Sequence, residues 1–426
     1  SLTPTNSTYR LVYNSDKKDY TLYLVILFFS LMSDIKYPTP IGMLRLFDVL
    51  TVLFVFNVTI NNNQFTKQKK HNFNFFFLFL IIHVLLSYKI GLNNFIREFI
   101  QSLIVFSFFF VLIKIKDQIN YRLLLNYGYK FSIALTLWVV IWHLYNGYNA
   151  GWKHLQDSRL IFTILPVLHF IYFKIYTDRK FIFTFLTIIL FLVILFSGER
   201  RALLVFFMLL ILFYYKGISI KSIFIFLFSY FIFFVSVNFI TNSYVKGYLE
   251  KLTTFQNTGN YDYTIETGSI LENDSISNIV RAFQLDYSKK LFLENPLTGV
   301  GTNGYLDKLA EDYGHLRFFS GTRPLATGLH GEFQRVSVEN GLLGIIIYFL
   351  AWSQSWVKLR NKINEFQKKK NVDIVRFKFI IYSLYFPPLV YISLAGSSLR
   401  SFILLGIVSV LPSIIESYER LAVKNE

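Results

Sequence analysis

The chain has no cysteine at all, so it holds neither a disulfide framework nor a thiolate metal site, and no nucleophile of the Cys type. Acidic residues are also sparse: 26 Asp and Glu stand against 43 Lys and Arg, for a net charge of +17 over 426 residues. No internal repeat is found, no low-complexity tract beyond a Phe, Ile and Leu bias, and no cleavable signal peptide pattern. What is present in excess is apolar side chain. Hydrophobic residues make up 54% of the chain, 48 of the residues are Phe, and mean hydropathy is positive, more than water-soluble cores of this length can hide. Lipid is therefore the expected solvent for much of the molecule.

Apolar stretches of about membrane-spanning length recur along the chain. They lie at roughly 20–33, 41–60, 73–88, 97–115, 129–146, 159–176, 181–197, 202–215, 220–240, 341–357, 377–394 and 399–415. The expected fold is an all-α polytopic integral membrane protein of about 12 transmembrane helices. Its expected parts are helices 1–9 over residues 1–240, one large and mostly helical extracytoplasmic loop over 241–340, and helices 10–12 over 341–426. The cations set the orientation. Lys67, Lys69 and Lys70, then Lys114, Lys116 and Arg122, then Lys174, Arg179 and Lys180, then Lys216 and Lys221 fall in alternate loops. Lys358, Arg360, Lys362, Lys368, Lys369 and Lys370 fall in the loop after the tenth span, so every one of these connections reads as cytoplasmic, as do both termini. A charge distributed this way speaks for a membrane and against nucleic acid.

A second set of cations sits at the outer span ends: Arg45, Arg97, Arg159, Arg200, Arg201 and Arg400. All six of these are Arg, whose planar fork binds phosphate oxygens in bidentate fashion; snorkelling to lipid phosphates is the plainer reading of any single one. Arg200 and Arg201 open the eighth span directly after Ser-Gly-Glu, where two cations oppose the helix macrodipole and call for an anion. Asp48 and Glu98 are expected to pair with Arg45 and Arg97. In the large loop, 275–294 reads as an amphipathic helix stopped by Asn295-Pro296, followed by a tight glycine turn over 299–305. His330 stands where a helix continuing into the tenth span begins, a position that suits a neutral imidazole and a general base. His83, His143 and His169 lie within spans and are expected to be packed or hydrogen-bonded there. Asp286, Glu311, Asp312, Glu332 and Glu339 match no metal motif and read as solvated or ion-paired acids; no metal site or cofactor is expected.

Four segments in order resemble the O-antigen ligase and O-antigen polymerase superfamily of bacterial envelope glycosyltransferases. They are Arg159 with Pro166; SGERRA over 197–202; Arg281 with NPLTGVGTNGY over 295–305; and HGEF to ENGLLG over 330–344. Arg201 stands where that family often has a small residue, and Gly331 follows His330 where Asn is frequent. The resemblance implies a GT-C-like, metal-independent, inverting glycosyltransferase of the bacterial cytoplasmic membrane with an extracytoplasmic active site. Its donor would be an undecaprenyl-diphosphate-linked oligosaccharide, its acceptor a glycan hydroxyl, and its partners a flippase and a chain-length regulator. His330, Arg281, Arg200 and Arg201 would be catalytic. Arg159, Gly299, Gly301, Asn303, Tyr305, Glu332, Arg335 and Glu339 would bind substrate. A polymerase is favoured over a ligase that uses lipid A core or a protein as acceptor. A flippase would show ionisable groups at mid-membrane or a two-halves symmetry, and the large loop breaks such symmetry. A metal-dependent transferase would rest on Asp34 alone.

Overall fold

The computed structural model describes residues 19–33, 36–39, 42–61, 74–146, 159–176, 180–196, 200–214, 284–313, 317–318, 323–324, 329, 331–368, 374–394 and 398–423. With no water in a bilayer core, each peptide group must find its partner within the protein, and the apolar runs accordingly coil into helices, which supply most of those partners locally. These are α1 (Thr21–Ser33), α2 (Leu46–Asn61), α3 (Asn74–Ser87), α4 (Leu92–Lys114), α5 (Tyr121–Asn146), α6 (Arg159–Tyr176), α7 (Lys180–Phe196) and α8 (Arg200–Tyr214). Then follow α9 (284–294), α10 (Gly304–Tyr313), α11 (Glu332–Gln367), α12 (Ile374–Leu394) and α13 (Ser398–Val423). Each expected span coincides with one of these helices except the ninth, 220–240, which lies outside the described residues. By length and composition α4, α11 and residues 374–391 of α12 suffice to cross a membrane, and seven further helices are apolar but shorter. The molecule is an integral membrane protein by that measure.

Two details depart from the all-helical expectation. Antiparallel hairpins join β1 (Lys36–Thr39) to β2 (Gly42–Arg45) and β3 (Arg317–Phe318) to β4 (Arg323–Pro324). The first occupies ground assigned to the second span from residue 41, because Pro38, Pro40 and Gly42 disfavour a helix there. Helix α2 starts only at Leu46, where Asp48 accepts a bond from the backbone N–H of Arg45 at 3.0 Å, so the expected Arg45–Asp48 pairing includes a main-chain cap.

The helices pack around two apolar cores. One joins α1 to α4 with α11, α12 and α13; the other joins α5 to α8 and reaches α12 through Phe379. Close approach in the first is set by Gly406 of α13, on which a Cβ would collide with the ring of Phe109 in α4. A third, small core caps one end: Tyr287 and Leu291 of α9 pack on Tyr305, Leu309, Leu329 and Val338. Helix α9 ends before Asn295-Pro296 as expected and buries Tyr287 and Leu291 of its predicted face; residues 275–283 lie outside the described residues.

Candidate functional site

Helix α11 is about 54 Å long at 1.5 Å per residue, too long for a bilayer core of about 30 Å, and it is broken at Gly341. Gly341 has φ +62° and ψ −161°, a conformation essentially closed to residues with a Cβ. The break costs two rungs of the helix ladder, those that would run from the N–H of Leu342 and Leu343 to the carbonyls of Val338 and Glu339. The loop after α9 supplies all four missing partners. Leu342 and Leu343 donate to the carbonyls of Pro296 and Leu297 at 2.8 and 3.1 Å. Val300 and Gly301 donate to those of Val338 and Glu339 at 2.9 and 3.0 Å. The NPLTGVG stretch is thus spliced into the helix.

Backbones this close leave no room for side chains. A Cβ on Gly299 would lie within 3.0 Å of main-chain atoms of Val338 and Glu339, and one on Gly341 within 3.0 Å of Leu297 and Gly299. Gly299 and Gly301 also have φ of +64° and +101°, and Asn303 completes the turn at +65°. The expected tight glycine turn is present, and its reason is the broken helix.

Beneath the splice lies a buried polar network. On the α11 head, Arg335 donates from Nε to Glu332 at 2.9 Å, from Nη1 to Glu339 at 2.7 Å, and from Nη2 to the other Glu332 oxygen. All three side chains are buried. On the neighbouring spans, His83 Nε2 of α3 meets Glu98 Oε2 of α4 at 3.1 Å, and Arg97 Nε meets Glu98 Oε1 at 3.2 Å. The sequence expectations for Glu98 with Arg97 and for a hydrogen-bonded His83 both hold. Asn303 joins the two halves. Its Nδ2 donates to Glu98 at 2.8 Å and to Asn94 at 3.2 Å, and its backbone N–H faces the Glu339 carboxylate and favours its charged form. Thr302 donates to the carbonyl of His83 at 2.7 Å and accepts from Asn340 at 2.9 Å; Asn94 donates to the carbonyl of Thr302 at 2.8 Å. Lys89 adds contacts to Thr298 and to the Gly299 carbonyl at 2.6 and 3.0 Å.

The network therefore gathers six of the residues expected to bind substrate: Gly299, Gly301, Asn303, Glu332, Arg335 and Glu339. Glu332 and Glu339 are ion-paired, the plainer of the two readings given to them, and they are buried instead of solvated. Tyr305 is buried against Tyr287 in the small core, with a hydroxyl that lacks a hydrogen-bond partner among the described residues; burial raises its phenol above the ordinary tyrosine range. Arg159 and Arg200 are the first residues of α6 and α8, with Arg201 next, as the sequence required, and their side chains lie outside the described set. Arg281 and His330 lie outside the described residues altogether. Among the described residues no group of three or more His, Cys, Asp or Glu comes together around a metal-sized gap.

Sequence reading missed the tie between the N-terminal spans and the loop. A signal for it existed: α3 ends at Ser87 and α4 begins at Leu92, so His83 and Glu98 must lie near the same end of two adjoining helices. By contrast, His169 is held wholly within α5, α6 and α7, between Tyr129 at 2.8 Å and Thr187 at 2.9 Å. The Thr187 hydroxyl already donates to Phe183, so it accepts from His169 Nε2, while Nδ1 accepts from Tyr129. Among the described residues this satisfied trio has no link to the loop, and the hydrogen bonds of His169 bear out its expected packing within the spans.

Residues 185–349 match the family model described as O-antigen ligase. The match runs from within α7 to the tenth expected span and takes in the splice and the α11 head. Over that segment the match supports the resemblance to the O-antigen ligase and polymerase superfamily that the motifs carry. No curated protein matches the chain.

Proposed function

We propose that the protein transfers a glycan from a polyprenyl diphosphate to a sugar hydroxyl at the outer face of the cytoplasmic membrane, as an O-antigen or capsular polysaccharide polymerase. The observation that carries this reading is the match over 185–349, within which the motif-bearing loop is bonded to the head of α11. In this reading Arg200, Arg201 and Arg281, with Arg159, hold the diphosphate of undecaprenyl-linked donor. A diphosphate is already a good leaving group, so the transition state chiefly needs positive charge on its oxygens, which guanidinium groups supply. The acceptor hydroxyl is the weak partner and needs a base. His330, directly before Gly331 at the start of α11, takes its proton. The acceptor oxygen then bonds the anomeric carbon as the bond to the diphosphate oxygen breaks, with inversion and release of polyprenyl diphosphate. Both termini face the cytoplasm, and a flippase delivers donor while a chain-length regulator limits product.

A second reading, transfer to lipid A core, is supported by the ligase description of the matched family. One experiment separates them: purified protein is given lipid-linked repeat units with and without lipid A core, each with and without a chelator. Longer lipid-linked chains despite the chelator are expected. Product on lipid A core alone selects the ligase, loss of product with chelator overturns the metal-free mechanism, and no product in any arm overturns the transferase reading.

A further inference from the structure

We propose that His83 and Glu98 form a positioning dyad that locks the 299–303 turn into the break of α11, so that the N-terminal spans set the geometry of the catalytic loop. Both residues lie outside the matched segment 185–349, and this inference deepens the transfer reading on which it rests. Three observations carry it. First, the pair is fully buried near the end of two spans, where ionisable groups are costly and apolar side chains would pack α3 on α4 more cheaply. Second, among the described residues the hydrogen bonds that the pair makes beyond Arg97 go to the loop: Glu98 accepts from Asn303, and the His83 carbonyl accepts from Thr302, whose hydroxyl stands 3.4 Å from His83 Nδ1. Third, those two loop residues continue into α11, through the hydrogen bond from Asn340 to Thr302 at 2.9 Å and through the Asn303 N–H, which faces the Glu339 carboxylate and favours its charged form. Glu339 in turn holds Arg335, which holds Glu332 in the first turn of the helix.

The surroundings keep the pair in register. Around His83 stand Glu98 and Arg97 from α4, the charge of Glu339 from α11, Thr302 from the loop, Phe79 from its own helix and the edge of Phe402 from α13, with ring centroids 4.5 Å apart. Changing either member to Gln removes the charged hydrogen bond of the pair while the amide can still bond its neighbour, so the second change finds little further to remove.

The test uses the full-length protein in detergent micelles or nanodiscs, with His83→Gln, Glu98→Gln, the double variant and Glu98→Asp. Hydrogen exchange of the peptide covering 296–303 reads the splice directly, because the N–H groups of Val300 and Gly301 are its donors. Each Gln single variant is expected to speed that exchange about tenfold and to lower kcat about tenfold with KM for the lipid-linked donor unchanged, while the double variant is no worse than either single. Glu98→Asp is expected to recover part of kcat. Exchange at the wild-type rate in both single variants, or effects that multiply in the double, overturns the dyad. Should a single variant fail to accumulate, accumulation of the double supports the pairing and its absence overturns it. If the wild-type protein transfers no glycan, the exchange arm still decides the matter alone.

Discussion

At the scale of single residues, the proposed chemistry and the scaffolding separate cleanly. His330→Ala and Arg281→Ala are expected to abolish chain extension while the protein still accumulates in the membrane; normal chain length on a gel of extracted polysaccharide from either variant would remove the catalytic assignment. Arg335 belongs to the other kind. Its guanidinium answers two buried carboxylates, so Arg335→Leu leaves Glu332 and Glu339 unpaired and is expected to cost about 3–5 kcal/mol of stability. Thermal unfolding in detergent checks this, and a triple change that also neutralises both glutamates to Gln should recover most of the loss. Residue types gave partial access to this level. Glu98 beside Arg97 and an ion-paired Glu332 and Glu339 follow from spacing along one helix, whereas the contact of Glu98 with Asn303 joins positions 205 residues apart, and local spacing holds no trace of that.

At the scale of elements, helices were legible because apolar runs in lipid have few alternatives to coiling. The break in α11 was harder to read. The glycine at 341 gives only a weak helix-breaking signal, and its real cause lies in a loop that needs the exposed carbonyls and amides. Substitution tests the claim. Gly341→Ala and Gly299→Ala each place a Cβ against another backbone in a conformation that disfavours it, and each is expected to lose at least about 2 kcal/mol by thermal unfolding. Gly128→Ala is the control: it lies in α5 with Leu168 Cδ1 at 3.9 Å as its nearest neighbour, and its change should stay within about 1 kcal/mol, on the stabilising side. Equal losses at all three positions would mean that the close approach at the splice is unimportant. The β1–β2 hairpin was missed for another reason: its four-residue strands flank an apolar span whose signal swamps theirs.

At the scale of the whole molecule, the absence of cysteine becomes a tool, since any introduced thiol is the sole target for labelling. Leu297, 68% exposed, lies at the break of α11, and Lys368 lies just past its far end. The charge pattern predicts that Leu297→Cys reacts with a membrane-impermeant maleimide in spheroplasts and that Lys368→Cys reacts only after permeabilisation. The reverse result would invert the topology. The distribution of cations supplies the sidedness expected here; the packing of α1 to α4 around α11 and α13 was not legible, because apolar faces in lipid do not name their partners. Chain order adds a last consequence to the spliced helix. The stretch 296–301 leaves the ribosome before Gly341 does, so the template for the missing rungs already exists when the helix is made. A circular permutation that reversed this order would let the helix emerge with no template waiting, free to close on itself as one straight rod.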